Sequence, residues 1–282
     1  MQQKNIVLVT GSSSGIGFHT SLFLARAGFY TTTMRNLDKS SQIVDIARED
    51  NLPVEVLRLD VTDDKSVKDV INTIVVKQRR IDVVVNNAGY GSTGAVEDFS
   101  IDEIKEQFET NFFGAIRVIQ SVLPIMREQR SGIIVNISSI GGRIAFPFSP
   151  SYASTKFALE GISEALQYEV DQFGIKVILV EPGIIKTNFF DNILKAKRAS
   201  DPASPYSELL QRRINRVKTM FENGTAPEEV AKVILKAITS ITPELRYLVG
   251  SDANSLIEKR KSVPERKFLE FMSENILGNQ FH

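Results

Sequence analysis

The sequence predicts an α/β fold: one doubly wound sheet of about seven parallel strands, with helices on both of its faces. Short apolar runs alternate with segments of helical periodicity through the first two-thirds of the 282-residue chain, which is the pattern of successive βαβ units. Most of these runs are continuously apolar, as expected for strands that are covered on both sides. Right-handed crossovers between parallel strands then distribute the helices over the two faces.

The predicted strands and helices follow one another without a repeat or a linker, so residues 1–282 are predicted to form one domain. Strands are predicted at residues 6–10, 30–34, 54–59, 83–86, 133–137, 176–180 and 246–250. Helices are predicted at residues 16–27, 38–49, 64–79, 101–129 and 152–173.

The last third of the chain interrupts this rhythm. Residues 188–224 are predicted to contain no strand. Thr225 and Glu228 are predicted to form a capping box at the start of a helix that runs to Ala237. An amphipathic helix is predicted at residues 264–274, within a C-terminal helical extension at about 251–282.

The composition excludes several kinds of chemistry. The chain has no cysteine, which excludes disulfides, thiolate metal sites and cysteine nucleophiles. With only His19 and His282 available, a histidine-ligated zinc site and a Ser-His-Asp triad are not expected, and we expect no metal. Acid–base chemistry near neutral pH must then use tyrosine, lysine or a carboxylate.

Charge and hydropathy bound the partners and the location. Lys+Arg and Asp+Glu both number 34, so no basic excess indicates nucleic-acid binding. No run reaches the roughly 20 apolar residues that a membrane helix needs, and the first residues lack the length and flanks of a signal peptide. We therefore expect a cytoplasmic protein without a membrane span.

A glycine-rich turn follows the first predicted strand and opens the first predicted helix. Such a turn presents backbone N–H groups and a positive helix end to a phosphate, and glycine lets the backbone approach a dinucleotide closely. The spacing is GxxxGxG, and a tight turn with packing glycines is the alternative reading. The candidate cofactor-binding residues here are Gly11, Ser12, Ser13, Ser14, Gly15, Ile16 and Gly17.

The end of the second predicted strand bears on the choice between NAD(H) and NADP(H). An acidic residue at this place binds the ribose 2′-hydroxyl of NAD(H). Here Arg35 and Asn36 follow Met34, and an arginine suits the 2′-phosphate of NADP(H). NADP(H) is therefore preferred. Asp38 could serve NAD(H) instead if the strand ended later, and Arg35 could be an ordinary surface residue.

Motifs that stand in order along the chain together resemble the short-chain dehydrogenase/reductase family over roughly residues 4–250. They are TGSSSGIG at 10–17, Asp60 in LRLDVTD, NNAG at 86–89, Asn111, VNISS at 135–139, YASTK at 152–156 and PGIIKT at 182–187. The arginine after the second strand, the long segment 188–224 and the run RYLVG are similar to the branch with 17-beta-hydroxysteroid and retinol dehydrogenases. The resemblance implies a Rossmann fold and a nicotinamide-dependent oxidoreductase that interconverts a carbonyl and an alcohol.

The YASTK motif carries the expected acid–base chemistry. Tyr152 and Lys156 are four residues apart in a helical stretch and share one face. A nearby cation is expected to lower the tyrosine pKa from about 10, and the positive charge of oxidised nicotinamide would lower it further. Tyr152 could then donate a proton to a carbonyl or remove one from an alcohol. An ordinary amphipathic helix is the alternative for the motif taken alone.

The resemblance gives roles to two further catalytic candidates. It implies that Ser139, rather than its neighbour Ser138, hydrogen-bonds the substrate oxygen, although both could satisfy backbone groups at a strand end. It implies that Asn111 holds a water that links Lys156 to solvent. A local kink or a buried polar contact is the alternative for an asparagine inside an apolar helix.

The remaining cofactor contacts implied by the resemblance fall at or after strand ends, where ligands bind in open α/β sheets. Each of these residues taken alone could instead serve turn chemistry. Asp60 and Val61 would meet the adenine, Asn87, Ala88 and Gly89 would line the cofactor, Pro182 and Gly183 would turn under the nicotinamide, and Ile185 and Thr187 would hold its carboxamide.

The segment 188–224 is predicted to be a lid over the substrate. Its apolar residues are Phe189, Phe190, Ile193, Leu194, Met220 and Phe221, with Tyr90, Phe146 and Phe148 as further candidate pocket walls. They favour a lipophilic carbonyl or alcohol substrate, unless they only pack on the core. The basic residues are predicted to form a solvated face, with an anionic substrate as the alternative; they are Lys195, Lys197, Arg198, Arg212, Arg213 and Arg216.

Two other functional classes remain open from the residues. A non-catalytic regulatory protein could sense NADP(H) on the same fold, and an epimerase or dehydratase could use a related extended fold. The complete set of Asn111, Ser139, Tyr152 and Lys156 favours an enzyme over a sensor, and the roughly 30 residues after the last strand are few for an epimerase. The resemblance also implies a homodimer or homotetramer built on residues 101–129 and 152–173.

Overall fold

A computed structural model describes residues 5–31 and 34–278 of the chain. Within these residues six strands form one parallel sheet in the order β2-β1-β3-β5-β6-β8, and β4 pairs with β7 separately. The strands are β1 Ile6–Val9, β2 Tyr30–Thr31, β3 Val83–Asn86, β4 Ser92–Thr93, β5 Gly132–Ile137, β6 Ile175–Pro182, β7 Leu194–Lys195 and β8 Arg246–Val249. The strand order reverses beside β1, so the topological switch point lies where β1 and β3 end.

The predicted strand at 54–59 is an edge segment of this sheet rather than a regular strand. Met34 forms an isolated parallel bridge with Arg58, since its N–H donates to the Leu57 carbonyl (3.1 Å) and its carbonyl accepts from the Leu59 N–H (2.9 Å). Thr32 and Thr33, which the prediction placed in the second strand, lie outside the described residues. The segment therefore occupies the predicted place and is bridged at two single residues, Val54 and Arg58.

Helices lie on both faces of the sheet, as predicted. They are α1 Gly15–Arg26, α2 Ser41–Glu49, α3 Asp64–Gln78, α4 Ile101–Phe108, α5 Gly114–Gln129, α6 Pro150–Val170, α7 Ser207–Glu222, α8 Pro227–Thr239, α9 Ser251–Ser262 and α10 Glu265–Met272. Side chains of α3, α5 and α6 pack on one face of the sheet, and side chains of α1 and α8 pack on the other.

The first strand shows why its apolar run is continuous. Ile6 and Leu8 belong to the core on the α3–α5 side, while Val7 and Val9 belong to the core on the α1–α8 side. Successive side chains of a strand point to opposite faces, so a strand that is covered on both sides needs apolar residues throughout. All four residues are buried.

The long helix predicted at 101–129 contains a local change of winding. The chain passes from α4 through a π-helical turn at Glu109–Phe113 into α5. Single π-turns inside α-helices are rare and occur frequently at functional sites. The turn contains Asn111, which is 2% exposed, so the change of winding coincides with the asparagine inside the predicted helix.

Two sequence predictions for the last third of the chain are wrong. The segment 188–224 contains a short strand, because Leu194 and Lys195 pair with Ser92 and Thr93. The capping box is absent within the described residues: the N-cap of α8 is Ala226, and Thr225 instead forms a bridge with Ile185. The predicted helical extension consists of α9 and α10, of which α10 lies at the predicted helix 264–274.

The C-terminal helices cover the turn that follows β5. Phe268 and Met272 of α10 and Ile257 of α9 form a buried cluster with Ile140 and Ile144. The extension is thus part of the core that supports the end of β5. Among the residues that the structure describes, none of the helices has the length and apolarity to cross a bilayer.

Candidate active site

The glycine-rich turn lies at the switch point and is tied to the end of β3. Thr10 Oγ1 accepts from the N–H groups of Asn87 and Ala88, each at 3.0 Å. Asn87 Nδ2 donates to the carbonyl oxygens of Thr10 (2.9 Å) and Gly11 (3.0 Å). These bonds hold together two of the predicted cofactor segments, one after each strand.

The turn requires glycine for its conformation and for close approach. Gly11 and Gly15 have φ of +70° and +55°, in the left-handed region that favours glycine. A Cβ on Gly17 would overlap Gly11 and the Asn87 side chain, and a Cβ on Gly15 would face Thr187 at 3.6 Å. A glycine cradle at the start of α1, open towards the loop after β6, fits the phosphates of a dinucleotide.

Arg35 and Asp60 are neighbours at the adenosine end of the predicted cofactor site. Burial raises the pKa of Asp60, but hydrogen bonds from Thr62 and the positive charges of Arg35 and Arg58 outweigh it, so that the net shift is downward. Asp60 Oδ1 accepts from the Thr62 N–H (3.0 Å) and hydroxyl (2.8 Å). Arg58 is a second cation here that the sequence prediction missed, because its position depends on pairing with Met34.

Two other residues predicted at this end serve the local fold. Asn36 Oδ1 accepts from the Asp38 N–H at 2.9 Å and caps the short 3₁₀ turn Leu37–Lys39. Val61 is buried, and a Cβ on Gly114 would lie 2.7 Å from its side chain. The Val61 side chain therefore packs against α5, and a contact with adenine would have to use its backbone.

Three predicted catalytic residues come together at the end of β5. The Ser139 hydroxyl acts on the Tyr152 phenol, whose pKa it lowers, and donates to the carbonyl oxygen of Pro182 at 3.4 Å. Lys156 Nζ lies 5.7 Å from the centroid of the Tyr152 ring and donates to the carbonyl oxygen of Ile137 at 2.8 Å. Residues from two segments thus meet beside the loop that follows β6.

The expected lowering of the Tyr152 pKa is wrong for the protein alone. Burial raises the pKa of Tyr152 to about 12, against the opposing hydrogen bond from Ser139. Burial lowers the pKa of Lys156 to about 8, against the opposing negative charge of Glu160. Desolvation disfavours the charged form of each group, and it dominates at both, so the phenol keeps its proton at neutral pH.

Asn111 has partners that the sequence prediction did not foresee. Its Oδ1 accepts from the Tyr90 N–H (3.0 Å), and its Nδ2 donates to the Tyr90 carbonyl (2.9 Å) and to Thr155 Oγ1 (3.3 Å). The side chain therefore joins the loop after β3 to α6. A Cβ on Gly89 would lie 3.1 Å from Asn111 Oδ1. Gly89, which is predicted to line the cofactor, therefore packs against the Asn111 side chain.

The loop after β6 is held from the C-terminal side of the chain. The Gly183 N–H donates to the Val249 carbonyl at 2.8 Å, and Asp252 in the first turn of α9 accepts from the Ile184 N–H at 2.7 Å. Ile185 is buried. Asp252 is a supporting residue that sequence reasoning missed, because no local pattern links residue 252 to residue 184.

An aromatic cluster covers the tyrosine. The Phe189 ring lies edge-on to Tyr152, with centroids 5.8 Å apart, and is stacked on Phe221 of α7 at 6.4 Å. Phe190 contacts Phe221 at 5.2 Å, and a Cβ on Gly91 would meet Phe189 at 2.9 Å. Residues 189, 190 and 221 thus converge above the catalytic candidates. Leu194 is exposed on β7 and does not join them.

The prediction of a solvated basic face on the segment 188–224 is wrong for Arg213. Its side chain is only 6% exposed, and its guanidinium donates to Thr93 Oγ1 (3.0 Å) and Ser149 Oγ (2.8 Å). Burial lowers its pKa to about 10. Arg216 donates to the carbonyl oxygen of Glu274 at 3.1 Å. Arg213 thus joins α7 to β4 and to the residue before α6, and Arg216 joins α7 to the helical turn Ser273–Leu277.

Comparisons with known proteins agree with this geometry. A family model described as short chain dehydrogenase matches residues 5–198. The 3-ketodihydrosphingosine reductase of Bacteroides thetaiotaomicron is 37% identical over 262 residues, covering 92% of this chain and 93% of the relative. Retinol dehydrogenase 8 of Bos taurus is 37% identical over 268 residues, covering 92% and 85%. The solved structure of a short-chain dehydrogenase from Streptomyces avermitilis superposes with a TM-score of 0.82 at 32% identity, covering 96% of both chains.

Proposed function

The chain belongs to the short-chain dehydrogenase family, a family of oxidoreductases, and from this premise we propose that it interconverts a carbonyl and an alcohol with NADP(H), using Tyr152 as general acid and base. The observation that carries the proposal is the meeting of Ser139, Tyr152 and Lys156 beside Pro182. These groups can bind a carbonyl oxygen and deliver a proton to it.

In the proposed reduction, NADPH supplies the hydride when bound. Ser139 donates a hydrogen bond to the substrate oxygen, and Tyr152 donates the proton that completes the alcohol. Because the pKa of Tyr152 is about 12 in the protein alone, the phenol carries this proton at neutral pH. Lys156 supplies a positive charge near the phenolate that is left. In the reverse direction the same phenolate removes the alcohol proton.

The proposed cofactor site runs from the glycine turn to the loop after β6. Gly11–Gly17 would hold the phosphates, Arg35 the 2′-phosphate, and Ile185 and Thr187 the carboxamide. The attraction between Arg35 and Asp60 supports this placement, because it puts a cation beside a residue predicted to meet the adenine. Asn111 belongs to the proposed catalytic set. Its side chain positions the loop that contains Gly89 and Tyr90, and we propose that it also holds a water linked to Lys156.

We propose that the substrate is lipophilic and that residues 188–224 form a lid over it. We further propose that the chain is a single Rossmann-fold domain, which residues 251–282 support as a C-terminal extension. The converging rings of Phe189, Phe190 and Phe221 support this, because ligand pockets are mostly apolar. The names of the two relatives, which indicate a sphingoid ketone and retinol, suggest the same class.

We also propose a homodimer or homotetramer built on α4, α5 and α6. Large side chains on α6 and on the π-helical turn between α4 and α5 are partly solvent-exposed in the single chain: Phe157 at 45%, Tyr168 at 78% and Phe113 at 46%. Apolar side chains grouped on neighbouring helices are typical of protein interfaces.

The experiment that tests the function measures NADPH and NADH oxidation by the purified protein against ketones and aldehydes, from small diketones to sphingoid ketones, steroids and retinal. We expect turnover with NADPH, and loss of turnover with retention of cofactor binding in Tyr152→Phe. Tight NADPH binding without turnover on the whole panel would favour the regulatory sensor instead. Substantial residual activity of Tyr152→Phe would remove Tyr152 as the proton donor.

A further inference from the structure

A partly buried cluster of charged residues lies against α6. Arg246 of β8 contacts Glu160 (2.9 Å) and Glu164 (2.6 Å) of α6 and Glu181 (3.4 Å) of β6, and Arg143 contacts Glu181 at 2.9 Å. Glu160 is 5% exposed and Glu181 is 1% exposed. These five residues come from α6, β6, β8 and the turn after β5.

Glu160 is the carboxylate of this cluster that is buried and not fully paired. Glu164 is half-exposed to solvent, and Glu181 is bound by both guanidinium groups. Glu160 shares Arg246 with both of them, and its buried Oε1 has no hydrogen-bond partner among the described residues. A buried charge that is not fully paired is costly. Lys156 is buried one helical turn before Glu160 on the same helix, so its ammonium is the nearest cation along α6 that can compensate this carboxylate.

The pKa shifts of Lys156 and Glu181 both include an effect of the Glu160 charge. Burial lowers the pKa of Lys156, and the negative charge of Glu160 acts against that lowering. Burial raises the pKa of Glu181, the like charge of Glu160 raises it further, and Arg143 and Arg246 oppose both. Tyr152 is the other titratable group that faces Lys156, and the Ile137 carbonyl is its hydrogen-bond acceptor.

The turn after β5 lies directly on this part of α6. A Cβ on Gly142 would lie 2.8 Å from Ser138 Oγ, 3.0 Å from Glu160 Cγ and 3.1 Å from the Lys156 carbonyl oxygen. Ser138 Oγ and Glu160 Oε1 are both buried without a hydrogen-bond partner among the described residues. The turn that carries Ser139 therefore packs on the Lys156–Glu160 turn at van der Waals distance.

We propose that Glu160 is a positioning residue: its carboxylate is buried, is held by Arg246, and keeps Lys156 in its charged form beside Tyr152. Its relevance to catalysis rests on the proposed function, but its effect on Lys156 does not. Glu160 acts through Lys156 and has no contact with the reacting atoms. In this arrangement the cluster supplies the negative charge that offsets the desolvation of the lysine.

The direct test is the titration of Lys156 by ¹⁵N NMR of the Nζ group in lysine-labelled protein, with Lys156→Arg to assign the signal. Neither substrate nor cofactor is needed, so the result stands even if the protein shows no turnover. Removing the charge in Glu160→Gln should move the titration midpoint about one pH unit lower. The control is Glu164→Gln, which loses the same kind of contact with Arg246 but is half-exposed and two turns from Lys156; it should leave the midpoint unchanged.

A second variant tests the opposite sign in case Glu160→Gln does not fold. Arg246→Gln removes the cation that pairs with Glu160, so the carboxylate acts more strongly on Lys156 and the Lys156 midpoint should move to higher pH. In an active enzyme the alkaline limb of kcat/KM should follow the midpoint in each variant. An unchanged midpoint in Glu160→Gln, or equal shifts in Glu160→Gln and Glu164→Gln, would overturn the proposal.

Discussion

Replacing Arg35 with Asp should remove the proposed preference for NADPH over NADH. Arg35 is exposed directly after the buried Met34, which bridges to Arg58. In the proposed complex it contacts the 2′-phosphate, a group that NADP(H) has and NAD(H) lacks. The substitution should therefore weaken the binding of NADPH and leave the binding of NADH nearly unchanged.

The magnitude follows from the exposure of this site. A hydrogen bond to a charged group contributes about 1.5–3 kcal/mol, and the lower half of that range applies because an exposed charge is screened by water and salt. An aspartate adds repulsion of about 1 kcal/mol at short distance in water. Together these give about 2.5–3 kcal/mol, which is roughly a 100-fold increase in the Kd for NADPH.

The assay is a fluorescence titration of NADPH and NADH at low and high ionic strength. The loss should be smaller at high salt, because the parent interaction is already screened there. Lys68→Asp is the matched control, since Lys68 is exposed on α3 and makes the same change in net charge. The reasoning fails if the NADPH/NADH ratio of Kd values is unchanged in Arg35→Asp, or if Lys68→Asp changes it equally.

Three further predictions concern the lid, the pH dependence and the C-terminal extension. Phe189→Ala should raise KM for lipophilic substrates by roughly 10–100-fold, because the proposed lid loses the ring that lies edge-on to Tyr152 and covering such a side chain contributes about 1.5–3 kcal/mol; steady-state kinetics should show less change in Phe190→Ala, whose ring contacts Phe221, and equal effects would contradict the proposed lid. In carbonyl reduction, kcat/KM should be level at low pH and fall above about pH 8, because Lys156 is charged below its pKa of about 8 and neutral above it; a pH–rate profile that rises through this range would contradict the role of the ammonium. Phe268→Ala should lower the free energy of unfolding by about 3–5 kcal/mol, since Phe268 is buried in the C-terminal cluster, whereas Leu269→Ala, at 43% exposure, should cost far less in denaturant titrations.

The ends of the strands explain why so much of the site could be predicted. Gly11 and Asn87 each follow an apolar run, and parallel strands of one sheet end at the same edge, so these residues meet whatever the details of the connecting helices. Tyr152 and Lys156 are close because a helix brings residues four apart onto one face. Both relations depend on local geometry, which the sequence contains.

The partners of buried charges could not be predicted in the same way. Arg212 and Arg213 are adjacent in a basic segment, yet Arg213 is buried against Thr93 and Ser149 and Arg212 is half-exposed with Glu208. Which face of α7 is covered depends on residues about 60 and 120 positions away. No periodicity within the segment carries that information.

The sequence by itself determined the doubly wound fold, the order of its strands and helices along the chain, the glycine turn and the Tyr152–Lys156 pair, because period and spacing act over a few residues. The other catalytic and cofactor candidates came from the resemblance of the ordered motifs to the family. The tertiary structure decided how those candidates are tuned. It raised the pKa of Tyr152 and lowered that of Lys156, gave the Asn111 side chain to Tyr90 and Thr155, and enclosed Glu160 with Arg246. Desolvation and long-range pairing are properties of the packed chain, and they exist only once distant segments have met.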